Sequence, residues 1–290
     1  MRIKESLKDR MFQGSIVIIL CIIAVITLIP LITVLALSFS SKAAADMNVV
    51  NLLPVDFTLA AWKYILSNAG IWRSFAVTLV AAIVGTILAL LITALMAYPL
   101  SKEDFMPGKI LMVFVVITMI FKAPIVPYFL TLKAIGLFNN PLVLVLPHIL
   151  TAYNMAIMRT FFKQFPKEVE EAAMIDGASY FQLFGQIILP SSKAVLATVG
   201  LFYAVAIWNQ FQTPIMFIQD TKWFPLQLKI RQLLDNGSEL QALTAVASNN
   251  FNDRTLQAAV VVFAIIPIII IYPYLQKHFA KGAMLGSVKG

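Results

Sequence analysis

RTFFKQFPKEVEEAAMIDGASYFQLFGQIILPSSK, residues 159–193, separates two apolar runs and divides by local rules into two short helices. Pro166 suits the first position of a helix, where its missing N–H costs nothing. Glu168, Glu170 and Glu171 follow in or near the first turn, where acidic groups complement the helix dipole. Gly177 can take the left-handed conformation that ends the helix. Ser179 can cap a second helix, and Pro190 is expected to interrupt it. Val169, Ala172 and Ala173, with Met174 or Ile175, give the first helix one face that can be buried. On these rules alone, a hairpin lying on a lipid surface fits equally well.

The sequence on either side decides the setting. Hydrophobic residues make up 60% of the 290 residues and charged residues only 12%. Mean hydropathy is +0.86. A soluble domain of this size cannot hide so much apolar surface, so the expected class is an all-α polytopic membrane protein. A lipid-crossing helix needs about 20 mostly apolar residues. Six stretches meet or approach that length, at 14–40, 74–98, 110–132, 141–158, 194–218 and 256–273. The fourth is short and is expected to extend past its edges. Pro30, Pro124, Pro127, Pro147, Pro214 and Pro267 fall inside these stretches, as helices in a bundle tolerate. The first run is too long for the core of a signal peptide and no small-residue cleavage site follows it, so it reads as a retained span. A single cysteine, Cys21, excludes a disulfide framework, and no internal repeat is visible.

Charge orients the spans. With both termini cytoplasmic, 13 of the 22 Lys and Arg lie on the inner side, in 1–13, 99–109, 159–193 and 274–290. Eight lie on the outer side, in 41–73, 133–140 and 219–255. The net charge of +8 is thus mostly an orientation signal rather than a nucleic-acid footprint. All 14 Asp and Glu fall outside the spans. Ion-coupled transporters often hold carboxylates near the membrane midplane, so this distribution weighs against that class. An ion-coupled secondary transporter of small solutes is nevertheless the alternative kept, since backbone carbonyls also bind sodium.

One spacing narrows the field. Glu171-Ala172-Ala173, three residues, Gly177, nine residues, Ile187, one residue and Leu189-Pro190 resembles the EAA motif of bacterial ABC importer permeases. The likeness extends further. LLPVDFTLAAWKYIL (52–66), VPYFLTLKAIGLFNN (126–140) and the tail with Gly282, Gly286, Lys289 and Gly290 are similar to segments of the second permease of carbohydrate importers. Lys122 and Ala123 depart from the small residues expected there. The resemblance implies a type I ABC importer permease with six transmembrane helices, set in the bacterial inner membrane. The implied partners are a homologous second permease, a cytoplasmic ATPase dimer, an extracytoplasmic solute-binding protein and an oligosaccharide.

In that reading the helix around Ala172 to Ala178 docks on the ATPase, with Glu171, Ala172, Ala173, Asp176, Gly177, Ala178, Leu189 and Pro190 as coupling residues. Ala172, Ala173 and Gly177 would allow close approach, and Glu171 would pair with a basic group of the partner. ATP and Mg belong to that partner, because this chain has no GxxxxGK[ST] phosphate cradle. The chain is not expected to be an enzyme. His148 and His278 have no Cys or carboxylate at ligand or triad spacing.

Polar and aromatic residues within spans are candidates for a solute path. They are Tyr153 and Asn154 in the fourth stretch and Trp208, Asn209, Gln210 and Gln212 in the fifth. Amides can bond sugar hydroxyls and rings can stack on sugar faces, but Asn and Gln also link helices to one another. Lys122 is the one charge placed inside a span. It either snorkels to the outer surface or meets an anionic solute, such as an alginate or aldouronate fragment. The outer loop 219–255 is long enough to contact a binding protein. Its KWFPLQLKIRQLL portion fits a short amphipathic helix or an extended piece.

Overall fold

Backbone groups surrounded by lipid must bond within their own segment, and only helices and closed barrels achieve that. The computed structural model describes residues 7–121, 123–235 and 251–287, and among them there is no strand. The helices are α1 (Leu7–Ser38), α2 (Lys42–Asp46), α3 (Ala60–Ser67), α4 (Ala69–Ser101), α5 (Gly108–Ile120), α6 (Ile125–Ala134), α7 (Ala152–Lys163) and α8 (Lys167–Ile175). Then come α9 (Tyr180–Gln182), α10 (Leu189–Ser191), α11 (Lys193–Trp208), α12 (Gln212–Phe217), α13 (Leu226–Asp235) and α14 (Asp253–Ser287).

Among the described residues three segments are single helices long and apolar enough to cross a membrane: Met11–Ser38, Ala69–Ser101 and Asp253–Ile271. Three more arise only if a broken pair counts as one span, which brings the total to six. The broken pairs are Gly108–Ile120 with Ile125–Ala134, Pro141–His148 with Ala152–Lys163, and Tyr180–Ser191 with Lys193–Trp208, so in the third and fourth stretches the bends expected at prolines are sharp breaks. In the third, α5 ends at Ile120 and α6 starts at Ile125. The fourth begins as two 3-10 turns, Pro141–Leu144 and Leu146–His148, bent by 44° against α7. Pro147 lacks the N–H that a continuous α-helix would donate to the carbonyl of Val143. The helix α7 continues to Lys163, beyond the 141–158 stretch. The fifth stops at Trp208 and resumes at Gln212. At the ends of the chain, α1 begins before the expected first span and α14 runs through most of the expected tail.

The chain forms two compact units, residues 1–69 with 230–266, and 70–229 with 267–290. In the first, the turn after α1 is fixed by a stack of three rings. Phe39 lies 5.6 Å from Phe57 and 5.4 Å from Trp62, nearly parallel to both. Trp62 Nε1 donates to Ser38 Oγ (3.3 Å), and Val55 N–H donates to Ser40 Oγ (3.1 Å). Asn252 donates to Asp46 (2.6 Å) and Arg254 to Asn48, which ties the start of α14 to the end of α2.

In the second unit, a buried cluster joins Ala89, Ala97 and Tyr98 of α4 to Met155, Met158 and Phe162 of α7 and to Leu183, Phe184 and Ile188. Tyr203 of α11 links helices by hydrogen bonds, sharing one with Thr93 (2.7 Å) and accepting from Thr151 N–H (3.1 Å). Small residues let α4 and α11 approach, as is common between membrane helices. A Cβ on Gly85 would lie 2.7 Å from Ile207 Cδ1, and one on Gly200 3.2 Å from Leu90 Cδ1. Ile207 can swing aside for one methyl group, whereas a leucine would also meet both Val145 methyls. Gly85→Ala should leave the thermal midpoint in detergent within a few degrees. Gly85→Leu should lower it sharply, since overpacking costs roughly 1–3 kcal/mol. Equal midpoints for the two variants would disprove the close approach.

The GLFNN stretch also acquires a role. Gly136, at φ +81°, ends α6, with Leu137 N–H reaching Leu132 O (3.0 Å). Asn139 is left-handed at φ +52°. Its Oδ1 accepts from the N–H groups of Gln219 (3.1 Å) and Asp220 (3.0 Å), pinning the chain just after α12.

Candidate functional site

The 159–193 segment folds largely as its sequence dictates. Pro166 sits one residue earlier than expected, as the cap before α8 rather than its first residue. The end of α8 is closed by two backbone bonds, Ala178 N–H to Ala173 O (3.0 Å) and Gly177 N–H to Met174 O (3.1 Å). This is the Schellman pattern, and it places Gly177 at φ +85°. Ser179 then opens α9 with a full capping box, its Oγ accepting from Gln182 N–H and its own N–H donating to Gln182 Oε1.

Pro190 does not interrupt the second helix, contrary to expectation. A π-helical turn, Leu183–Ile188, precedes it and shifts the bonding pattern, so that the chain stays helical through Ser191. The break comes at Ser192, where the direction changes by 80° before α11. Such π turns are often found at functional positions.

The face of α8 expected to be buried is mostly open. Ala173 is buried in the cluster with Tyr98, Phe162 and Phe184. Glu171, Ala172, Asp176 and Gly177 are exposed, Ala178 is half-buried, and Val169 and Met174 are exposed too. Ile175 is 85% exposed, Phe181 84% and Tyr180 69%, so three large apolar groups stand out around the end of α8. Leu189 is half-buried and Pro190 exposed. A Cβ on Gly177 would meet nothing within 4 Å. Within the chain this glycine is therefore needed for its backbone conformation, and close packing does not require it. Gly177→Val should destabilise the turn by about 1–2 kcal/mol. Gly177→Asn, which tolerates positive φ, should cost less. Proteolysis at 176–180 would report this, and equal rates in both variants would contradict it.

Charged groups that the sequence reading left unassigned hold α8 to the rest of its unit. Lys102, just beyond α4, pairs with Glu170, and its Nζ lies 4.5 Å from the Tyr98 ring centre. Arg159 Nε donates to Leu100 O (2.7 Å), one of the last carbonyls of α4. Glu103 faces Lys167 at 3.4 Å and Lys163 at 3.8 Å. A cavity of about 1010 Å³ lies beside these pairs, with Glu171, Ile175 and Phe181 on its wall. The signal for Lys102–Glu170 was only opposite charge, with 68 positions between the partners and no local rule to connect them.

The candidate path residues fall into two groups. Asn154, Trp208 and Gln210 are buried. Trp208 packs edge-on against Phe75 (5.8 Å), and Gln210 Nε2 donates to Leu144 O (2.8 Å) across the break after α11. Gln210 therefore links helical segments, the second of the roles open to it. Tyr153, Asn209 and Gln212 are exposed, as is Phe211 between the two amides. Lys122 lies outside the described residues. So do residues 236–250 of the loop expected to meet a binding protein, and the side chain of His278. The first half of that loop is ordered into a 3-10 turn, Thr221–Trp223, and α13, which resolves the open choice in favour of a helix. Leu226 and Leu228 of α13 are buried, and Leu226 N–H donates to Thr78 Oγ1 (2.7 Å). Among the described residues no group of three or more His, Cys, Asp and Glu could hold a metal ion.

The described residues thus present long apolar helices, bent helix pairs and an exposed, capped helical turn, and comparison with known proteins gives these features a class. The chain belongs to the family described as binding-protein-dependent transport system inner membrane component, matched over residues 89–284. It is 38% identical to the polygalacturonan/rhamnogalacturonan transport system permease protein YtcP of Bacillus subtilis, over 98% of this chain and 100% of that one. It is 29% identical to the diacetylchitobiose uptake system permease protein NgcG of Streptomyces coelicolor, covering 97% and 90%. Its fold is similar to a chain in the crystal structure of a bacterial ABC transporter involved in the import of the acidic polysaccharide alginate. The TM-score is 0.89 and the identity 31%, covering 95% of this chain and 99% of the other. The chain is therefore a multi-pass inner-membrane component of an ABC importer, and the ion-coupled alternative is not retained.

Proposed function

We propose that this chain is one of two permeases through which an ATP-driven importer passes oligosaccharides, including acidic ones built from uronate units. The observation that carries the coupling role is the open surface around α8, where Ile175, Tyr180 and Phe181 are exposed beside exposed Glu171 and Ala172. Isolated surface apolar groups need no explanation, but three grouped on a rigidly capped turn suit a partner surface. The partner would be an ATPase dimer that binds ATP and Mg, on the cytoplasmic side chosen by the charge distribution. The solute would pass Tyr153, Asn209 and Gln212, whose ring and amides remain accessible. The solute would be delivered by an extracytoplasmic binding protein.

The acidic substrate class is supported by two relatives whose names specify pectic polymers and alginate. A second permease of the same fold would complete the path. Reconstitution of this chain with the second permease, the ATPase and the binding protein should give uptake of oligogalacturonides that requires ATP and survives a proton or sodium ionophore. Uptake that continues without ATP and collapses with the ionophore would overturn the proposal.

A further inference from the structure

In the first unit a cavity of about 770 Å³ opens between α2, α3 and Phe251. Lys42 and Lys63 line it, with no carboxylate among its described lining residues. Neither lysine forms an ion pair among the described residues. The nearby acid Asp56 stands outside the lining and accepts from Ser41 Oγ at 3.4 Å. Two ammonium groups on one concave surface, with no counter-ion among the described residues, repel each other, and an anion between them removes that cost.

The remaining wall has the chemistry of a sugar. Ser41 and Thr58 bring hydroxyls, and Tyr64 brings a ring set 5.4 Å from that of Phe251. Tyr64 Oη accepts from Asn68 Nδ2 (3.1 Å), which leaves its own proton free to be donated. Aromatic rings beside hydroxyls suit the mixed apolar and polar faces of a pyranose, and the cavity lies in the size range of small-molecule sites. On the proposed topology both 41–73 and 219–255 are on the outer side, where solute arrives.

We infer that this cavity is an entry subsite for the carboxylate-bearing sugar of an acidic oligosaccharide, with Lys42 and Lys63 holding the uronate carboxylate and Tyr64 and Phe251 supporting the ring. The inference rests on the proposal of an acidic substrate, and it assigns that selectivity in part to this chain. It is independent of Lys122.

The test uses the complete reconstituted importer with trigalacturonate and its carboxyl-reduced, neutral counterpart. Variants are Lys42→Gln, Lys63→Gln, the double change, and Lys42→Arg with Lys63→Arg. The double glutamine variant should lose roughly tenfold in uptake of trigalacturonate relative to the neutral compound, the value of one charge-assisted hydrogen bond. The loss should appear in KM and shrink at high salt, and the arginine pair should restore it. Equal losses on the two compounds, or no loss, would overturn the subsite while leaving the acidic substrate standing. Weaker docking of the empty binding protein, with the substrate ratio unchanged, would assign the cavity to protein contact and also overturn it. A wild-type importer that refuses trigalacturonate altogether would overturn the substrate reading and the subsite together.

Discussion

Changing Ile175 and Phe181 together to aspartate should reduce ATP-driven uptake more than a hundredfold while the chain still folds and inserts. Both side chains are more than four-fifths exposed, so neither contributes much to the packing of its own unit. In a docked complex they would be desolvated anchors, each worth about 2 kcal/mol when removed. Aspartate adds a charge that the partner would have to bury. Far-ultraviolet circular dichroism and detergent extraction should match wild type, while ATPase subunits should no longer co-purify with the permease. A single change at either position should give an intermediate loss. If the double variant co-purifies and transports normally, the surface around α8 is not the coupling face.

The second large effect concerns the connection between that surface and the spans. Lys102→Met should uncouple the two: ATP hydrolysis should continue, but solute moved per ATP should fall severalfold. Glu170 is on α8 and Lys102 follows α4, so in the proposed coupling role their ion pair would transmit displacement from the exposed hairpin to a long apolar helix. The Glu170 side chain is only 15% exposed, and without Lys102 its charge would remain unpaired. The cost should be about 2 kcal/mol, below that of a fully buried pair because Lys102 retains contact with water. Arg159, bonded to Leu100 O, keeps the two elements in contact, so the expected failure is in coupling and not in folding. Lys102→Glu combined with Glu170→Lys should recover much of the lost ratio. Full transport stoichiometry in Lys102→Met would show that the pair transmits nothing.

Composition and local rules made the helical class legible. Gly177 and Ser179 announced the turn between α8 and α9, because both act through backbone geometry within a few residues. Prolines such as Pro124 and Pro147 marked where spans could bend, but not how far the helices would break. Hydropathy reports how apolar a window is, not which backbone hydrogen bonds are made, so it did not place the bonding changes at Val145 to Thr151 and at Asn209 to Phe211. For the same reason Gln210 and its neighbours Asn209 and Gln212 could not be sorted into buried and exposed. A helical period does not apply where the helix stops. Val169 and Ile175, both exposed, show another limit. Apolar residues on a short helix read as core, and a sequence does not say whether the core belongs to its own chain. Pro190 obeyed neither rule, since a π turn before it let the helix continue.

The most direct test of the coupling role is a cross-link from position 172, which is small, exposed and at the centre of the proposed contact. Cys21, the single native cysteine, would be changed to serine and Ala172 to cysteine. The complete importer would then be treated with a short bifunctional thiol reagent, against single cysteines placed across the cleft of the ATPase. A cross-linked permease–ATPase product that blocks uptake, and is absent when the cysteine is moved to the break at position 209, is the result expected. No product from position 172 at any ATPase position, in an importer that transports normally, would contradict the account.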